Sequence, residues 1–132
     1  MLEGGAAVNH AKQDGTTALI AASYKGHAAC IRALLEGGAA VNHAKQNGIT
    51  ALMAASRKGH AACVTTLLKG GAAVNHADQN GVTALMAASQ EGHAACVSAL
   101  LEGGMAINHA NQDGFTARMV EAADGAWRRE TS

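Results

Sequence analysis

The residues with the greatest chemical reach are three histidine–cysteine pairs. They are His27 with Cys30, His60 with Cys63, and His93 with Cys96, each set as His-Ala-Ala-Cys. Residues three apart on a helix are neighbours on one face. An imidazole and a thiolate placed so are half of a zinc site, or the two active groups of a Cys–His nucleophile. A closed zinc site needs four ligands about 2.0–2.3 Å from one ion. The pairs recur every 33 residues, too far apart to share an ion. No third residue recurs beside them to orient the histidine of a nucleophilic couple. The expectation is therefore a buried small thiol in a helix stripe and a loop histidine bonding nearby backbone. A second series, His10, His43, His76 and His109, follows Asn each time. It could sense pH near about 6.5, but the simpler expectation is that each ring bonds a carbonyl of its own loop. The sequence holds no GxxxxGK[ST] and no HExxH. Its Gly-Gly pairs end helices and make poor phosphate loops. No catalytic residue, metal or cofactor is assigned.

The elements that position these residues come from one repeated unit. Asn47–Gln79 and Asn80–Gln112 are identical at 24 of 33 positions without a gap, and Asp14–Gln46 lies in the same register. A fixed period of this length marks a solenoid. Asp14-Gly15, Asn47-Gly48, Asn80-Gly81 and Asp113-Gly114 are turn dipeptides. Thr17, Thr50, Thr83 and Thr116 follow as helix N-caps. A short helix then ends near Gly26, Gly59 or Gly92. A second helix follows His27, His60 or His93. In the first unit its apolar stripe is Cys30, Ile31, Leu34 and Leu35, and Gly37-Gly38 stops it. Helices of about two turns are marginal alone in water, so stability must come from stacking each pair on the next. Hydrophobic residues are 48% but aromatics only 2%, which predicts a thin core built on alanine.

The period, the turn, the Gly-x-Thr, the Gly-His pair, the Leu-Leu and the Gly-Ala-x-Val-Asn tail resemble ankyrin repeats over essentially the whole chain. The resemblance implies an all-α helix-turn-helix solenoid with short hairpin-like loops. It also implies a non-catalytic module that binds a protein through its concave side, lined by turns and first helices. One departure stands out. The family's Thr-Pro-Leu-His is here Thr17 to Ile20, Thr50 to Met53 and Thr83 to Met86, with Ala for Pro and Ile or Met for His. Proline is preorganised for the first helical position, and the histidine could tie turn to helix, so looser first helices are expected.

A single domain is expected. Residues 1–13 match Leu34–Gln46 except at Met1 and read as the tail of a preceding repeat in a longer array. Full repeats span 14–46, 47–79 and 80–112. Residues 113–132 read as a capping repeat. There Arg118 stands where other units have Leu19, Leu52 and Leu85, Glu121 where they have Ala22, Ala55 and Ala88, and Arg128, Arg129 and Glu130 fill the apolar face of the second helix. Trp127 is expected to fold back over the last pair.

Ten basic and ten acidic side chains leave no net charge. With neither a basic patch nor stacking aromatics, no nucleic-acid partner is expected. No stretch approaches the roughly 18 apolar residues of a membrane span, so no membrane role is expected, and the first residues lack a signal peptide's basic and apolar regions. Equivalent helices of a stack lie about 8–10 Å apart, beyond the about 7 Å limit for a disulfide. Three free thiols suit a reducing compartment, so the cytoplasm is the expected location. Residues 1–66 carry six cations and three carboxylates, the remainder four and seven. The candidate partner-binding residues are sites of difference between units on the turns and first helices: Lys12, Tyr24, Lys25, Lys45, Ile49, Arg57, Lys58, Asp78, Val82, Gln90, Glu91, Asn111 and Phe115, with Thr16 varying in the same turn position. An alternative is weak self-association through an uncapped N-terminal flank expected to expose Leu19 and Ile31.

Overall fold

The computed structural model describes residues 7–108. They form six helices: α1 Ala18–Lys25, α2 Ala28–Glu36, α3 Ala51–Lys58, α4 Ala61–Lys69, α5 Ala84–Gln90 and α6 Ala94–Asn108. First helices stack on first helices, α1 on α3 on α5, and second helices on second helices, α2 on α4 on α6. Between units the backbone makes a short finger, closed by isolated antiparallel bridges at Ala44–Thr50 and Ala77–Thr83. The chain is thus the expected all-α solenoid with hairpin-like loops.

Each first helix starts as its sequence dictates. The hydroxyls of Thr17, Thr50 and Thr83 accept from the backbone N–H of Ile20, Met53 and Met86 at 3.3, 3.3 and 3.2 Å. In the second and third units methionine completes the reciprocal bond. Thr50 N–H donates to Met53 Sδ at 3.5 Å and Thr83 N–H to Met86 Sδ at 3.4 Å. A thioether is a weak acceptor, yet it occupies the return half of a capping box. The expected loosening at these entries is partly offset there. Ile20 has no such atom, so α1 enters with one bond fewer.

The second helices end less uniformly than the Gly-Gly pairs suggest. In the first two units the chain leaves the helix at Gly37–Gly38 and Gly70–Gly71, with φ of 95° at Gly38 and Gly71. The Leu35 Cδ1 atom sits 2.7 Å from where a Cβ on Gly70 would lie, so the first glycine admits a neighbouring unit while the second turns the chain. The released tail is then held by an asparagine of the preceding unit. Asn9 Oδ1 accepts from Ala40 N at 2.7 Å and its Nδ2 donates to Gly38 O at 3.4 Å. Asn42 holds Ala73 N and Gly71 O at 2.7 and 3.3 Å. In the third unit α6 instead runs through Gly103 and Gly104 to Asn108. A glycine costs a helix only about 1 kcal/mol against alanine, so the pair is a penalty that helix formation can overcome. Asn42→Ala should therefore cost about 1 kcal/mol, the scale of a net hydrogen bond or two at an exposed site. Urea unfolding followed by circular dichroism checks this. Asn75→Ala should cost less, because the segment it would hold is helical.

The core runs through the stack. Leu19, Ile20, Ile31, Leu52, Val64, Leu67 and Leu100 are buried, with alanines and two cysteines between them. This corrects one expectation. Leu19 and Ile31 are 1% and 0% exposed, covered by their own helix pair and the following unit. The N-terminal flank presents small side chains instead: Ala18, Ala21, Ala29, Cys30 and Ala33 are exposed. One period on, Ala51, Ala54 and Cys63 are buried, because those positions face the preceding unit. Small side chains bury little area each, so this flank is a weaker driver of association than leucine and isoleucine would be. Among the described residues no helix is long and apolar enough to cross a membrane.

Candidate interaction surface

The histidines prove to be ties between distant stretches of backbone. His60 Nε2 lies 3.0 Å from Tyr24 O, and His93 Nε2 lies 2.9 Å from Arg57 O. In the other series His43 Nε2 reaches Gly15 O at 2.8 Å and His76 Nε2 reaches Gly48 O at 3.2 Å. The carbonyls met by His60 and His93 belong to the preceding unit, and those met by His43 and His76 to the turn that opens the histidine's own unit, 28 residues back; none lies in the histidine's own loop as expected. The His/Cys pairs do not act together. His60 turns to the neighbouring helix while Cys63 sits 1% exposed in the core. Among the described residues no three His, Cys, Asp or Glu side chains converge as a metal site.

The thiols divide. Burial pushes the Cys63 thiol above its usual pKa, and burial with the nearby Cys63 does the same for Cys96. Cys30 is exposed on the open flank, against the expectation of three buried thiols, because no described unit precedes it. A thiolate is the reactive form, so Cys63 and Cys96 should be inert in the folded chain. Titration with a disulfide reagent should show one fast thiol and two released only on denaturation. Cys30→Ser should abolish the fast phase.

The candidate residues that the structure describes lie on the turns and first helices. Lys45 Nζ lies over the Tyr24 ring, 5.4 Å from its centroid, and 3.9 Å from Asp14 Oδ2. One turn, the next turn and α1 are thereby joined in one surface. Asp14 was legible only as a turn residue, yet it anchors this contact. Hydrogen bonds from Thr16 hold its carboxyl below the usual value, helped by Lys45 and Lys12. Lys12 is exposed in the first turn, and Lys25 and Lys58 are exposed in the last turns of α1 and α3. Gln90 and Glu91 are exposed where α5 ends. Other candidates are already occupied. Asp78 Oδ1 accepts from Asn80 N and Val82 N at 2.8 and 3.0 Å, so its carboxylate shapes its own turn. Ile49 packs half-buried against the core, and Val82 and Arg57 are half-buried. Asn111 and Phe115, like Trp127 and the expected cap, lie outside the described residues. On the second-helix side, a shallow hollow of about 370 Å³ lined by Arg32, Leu35, Glu36, Thr66, Lys69 and Gly70 opens between α2 and α4.

Short helix pairs, stacked in register and joined by bridged turns, define a helical-repeat solenoid. The family model for ankyrin repeats, in three copies, matches residues 1–78 and 70–126, and the chain belongs to the ankyrin-repeat family. Members of this family are generally protein–protein interaction modules and are typically non-catalytic. The search of curated proteins gives no match.

Proposed function

We propose that this chain is a non-catalytic module that binds one protein partner through the concave surface of its turns and first helices. The observation that carries the reading is the contact of Lys45 with Tyr24. It makes turn and helix one continuous surface, and the exposed candidates Lys12, Lys25, Lys58 and Gln90 lie on the same turns and first helices. The surface belongs to a single domain with full repeats at 14–46, 47–79 and 80–112, flanked by a repeat tail at 1–13 and a cap at 113–132. Three free cysteines fit a reducing compartment such as the cytoplasm.

The test is selection of binders from a peptide-display library against the immobilised chain, followed by affinity measurement on variants. Tyr24→Ala, Lys58→Ala and Gln90→Ala should weaken the selected binders, at least one of them tenfold or more. Arg32→Ala and Thr65→Ala, on the second helices, should leave them unchanged. The opposite pattern places the binding surface elsewhere.

A further inference from the structure

We infer that the partner segment seated on the first two units is an acidic stretch of protein, which deepens the concave-surface reading and rests on it. Charge is unevenly partitioned over the described residues although the whole chain is neutral. On the second helices Arg32 and Lys69 are balanced by Glu36 and Glu102. On the first two turns, residues 12–17 and 45–50, and on α1 and α3, Lys12, Lys25, Lys45, Arg57 and Lys58 face one carboxylate, Asp14. That carboxylate is engaged by Lys45 at 3.9 Å. Lys12, Lys25 and Lys58 remain exposed, with no carboxylate within 4 Å among the described residues. An excess confined to one face raises the local concentration of an oppositely charged ligand and steers its approach.

The sign of the surface then changes. In the next turn and at the end of α5 the same positions hold Asp78, Gln90 and Glu91. Folding does not ask for this. Lys25 and Lys58 sit at helix C-termini, where the helix dipole favours a cation, but Glu91 sits at the end of α5, where the dipole opposes it. The carboxylate is therefore better explained by what lies across from it. It marks where the acidic stretch of the partner ends. Two units stacked about 8–10 Å apart span the length of about six extended residues at roughly 3.3 Å each. A nucleic acid would offer the same negative charge, but among the described residues no free stacking platform is present, since Lys45 lies over the Tyr24 ring.

The probe is a synthetic peptide of about twelve residues with a central run of glutamates spanning that length. It is titrated into the isotopically labelled chain at low salt and followed by backbone chemical shifts. Shift changes should centre on Lys12, Lys25, Lys45 and Lys58 and leave Arg32 and Lys69 unmoved. The double variant Lys25→Glu/Lys58→Glu should weaken binding at least tenfold. Glu91→Lys should tighten it by continuing the basic row, and added salt should weaken it throughout. Equal shifts at Arg32 and Lys69, an unaffected double variant, or equal affinity for a lysine peptide or an oligothymidine of matched length would overturn the inference. Its failure is distinguishable from that of the broader reading. Display-selected binders that depend on Tyr24 and Gln90 but carry no acidic run sink the acidic partner alone. Binders that depend on Arg32 and Thr65 sink the concave surface itself.

Discussion

Gly59→Ala should destabilise the chain by about 2–4 kcal/mol, while Gly92→Ala should cost only about 1–2 kcal/mol, the backbone part alone. Both glycines end a first helix or its turn with positive φ, 81° at Gly59 and 76° at Gly92. A side chain in that left-handed region costs about 1–2 kcal/mol, and this part is common to both. The difference lies in what covers them. A Cβ on Gly59 would stand 2.7 Å from His93 Nδ1 and 2.8 Å from its Cε1. The ring would have to move, and its bond to Arg57 O, now 2.9 Å, would be lost or stretched at about 0.5–1.5 kcal/mol. Packing of the displaced ring adds the remainder. At Gly92 nothing among the described residues lies within 4 Å of the same point. Urea unfolding of the two variants beside the parent chain decides the matter. Equal losses would mean that the histidine does not tie the third unit to the second.

That tie shows where sequence reasoning reached its limit. Turns, threonine caps and αL glycines are local devices, decided within a few residues, and each appears where its residues predict it. The partners of His60, His93, Asn9 and Asn42 are not local. They lie 29–36 residues away, and a polar residue in a loop reads by default as bonding that loop. The available signal was the period itself, which places Gly26 against His60 and Gly59 against His93. Periodicity also showed which helix residues are apolar without showing which neighbour each faces. Leucines and isoleucines turned inward and toward the following unit, alanines and cysteines toward the preceding one, so the flank that was expected to expose Leu19 and Ile31 exposes Ala18, Ala21 and Cys30. The candidate surface was legible in outline because variation between units marks positions the fold leaves open. Its internal wiring was not. Tyr24, Lys45 and Asp14 meet only once the turns stack, and Asp78 is held by the backbone of its own turn.

Leu67→Ala should cost about 3–5 kcal/mol, the upper part of the range for a buried leucine. Leu67 is 0% exposed in α4, in the middle of the stack. The size of such a loss depends on how well neighbours can collapse into the void. Here the buried cluster that holds it sets Ala51, Ala55, Ala72, Ala84, Ala88, Cys63 and Cys96 among Leu19, Ile20, Ile31, Leu52, Met53, Val64, Val74 and Leu100. Alanine has no rotatable side-chain bond with which to reach into a hole, and cysteine has one, so the cavity should persist. Leu68 supplies the comparison. It is half-buried, with its Cδ1 2.6 Å from where a Cβ on Gly103 would lie, and Leu68→Ala should cost about half as much. The position of Leu67 adds a second effect. Units of a solenoid contact only their neighbours, so stability is a sum of unit and interface terms. Weakening the middle unit loosens both interfaces at once, and the first and third units lose their only described connection. Urea unfolding of Leu67→Ala should therefore show a lower midpoint and a shallower transition, whereas Leu68→Ala should shift the midpoint with the slope nearly kept. A steep, barely shifted curve for Leu67→Ala would mean that the alanine-rich core relaxes more readily than its side chains allow.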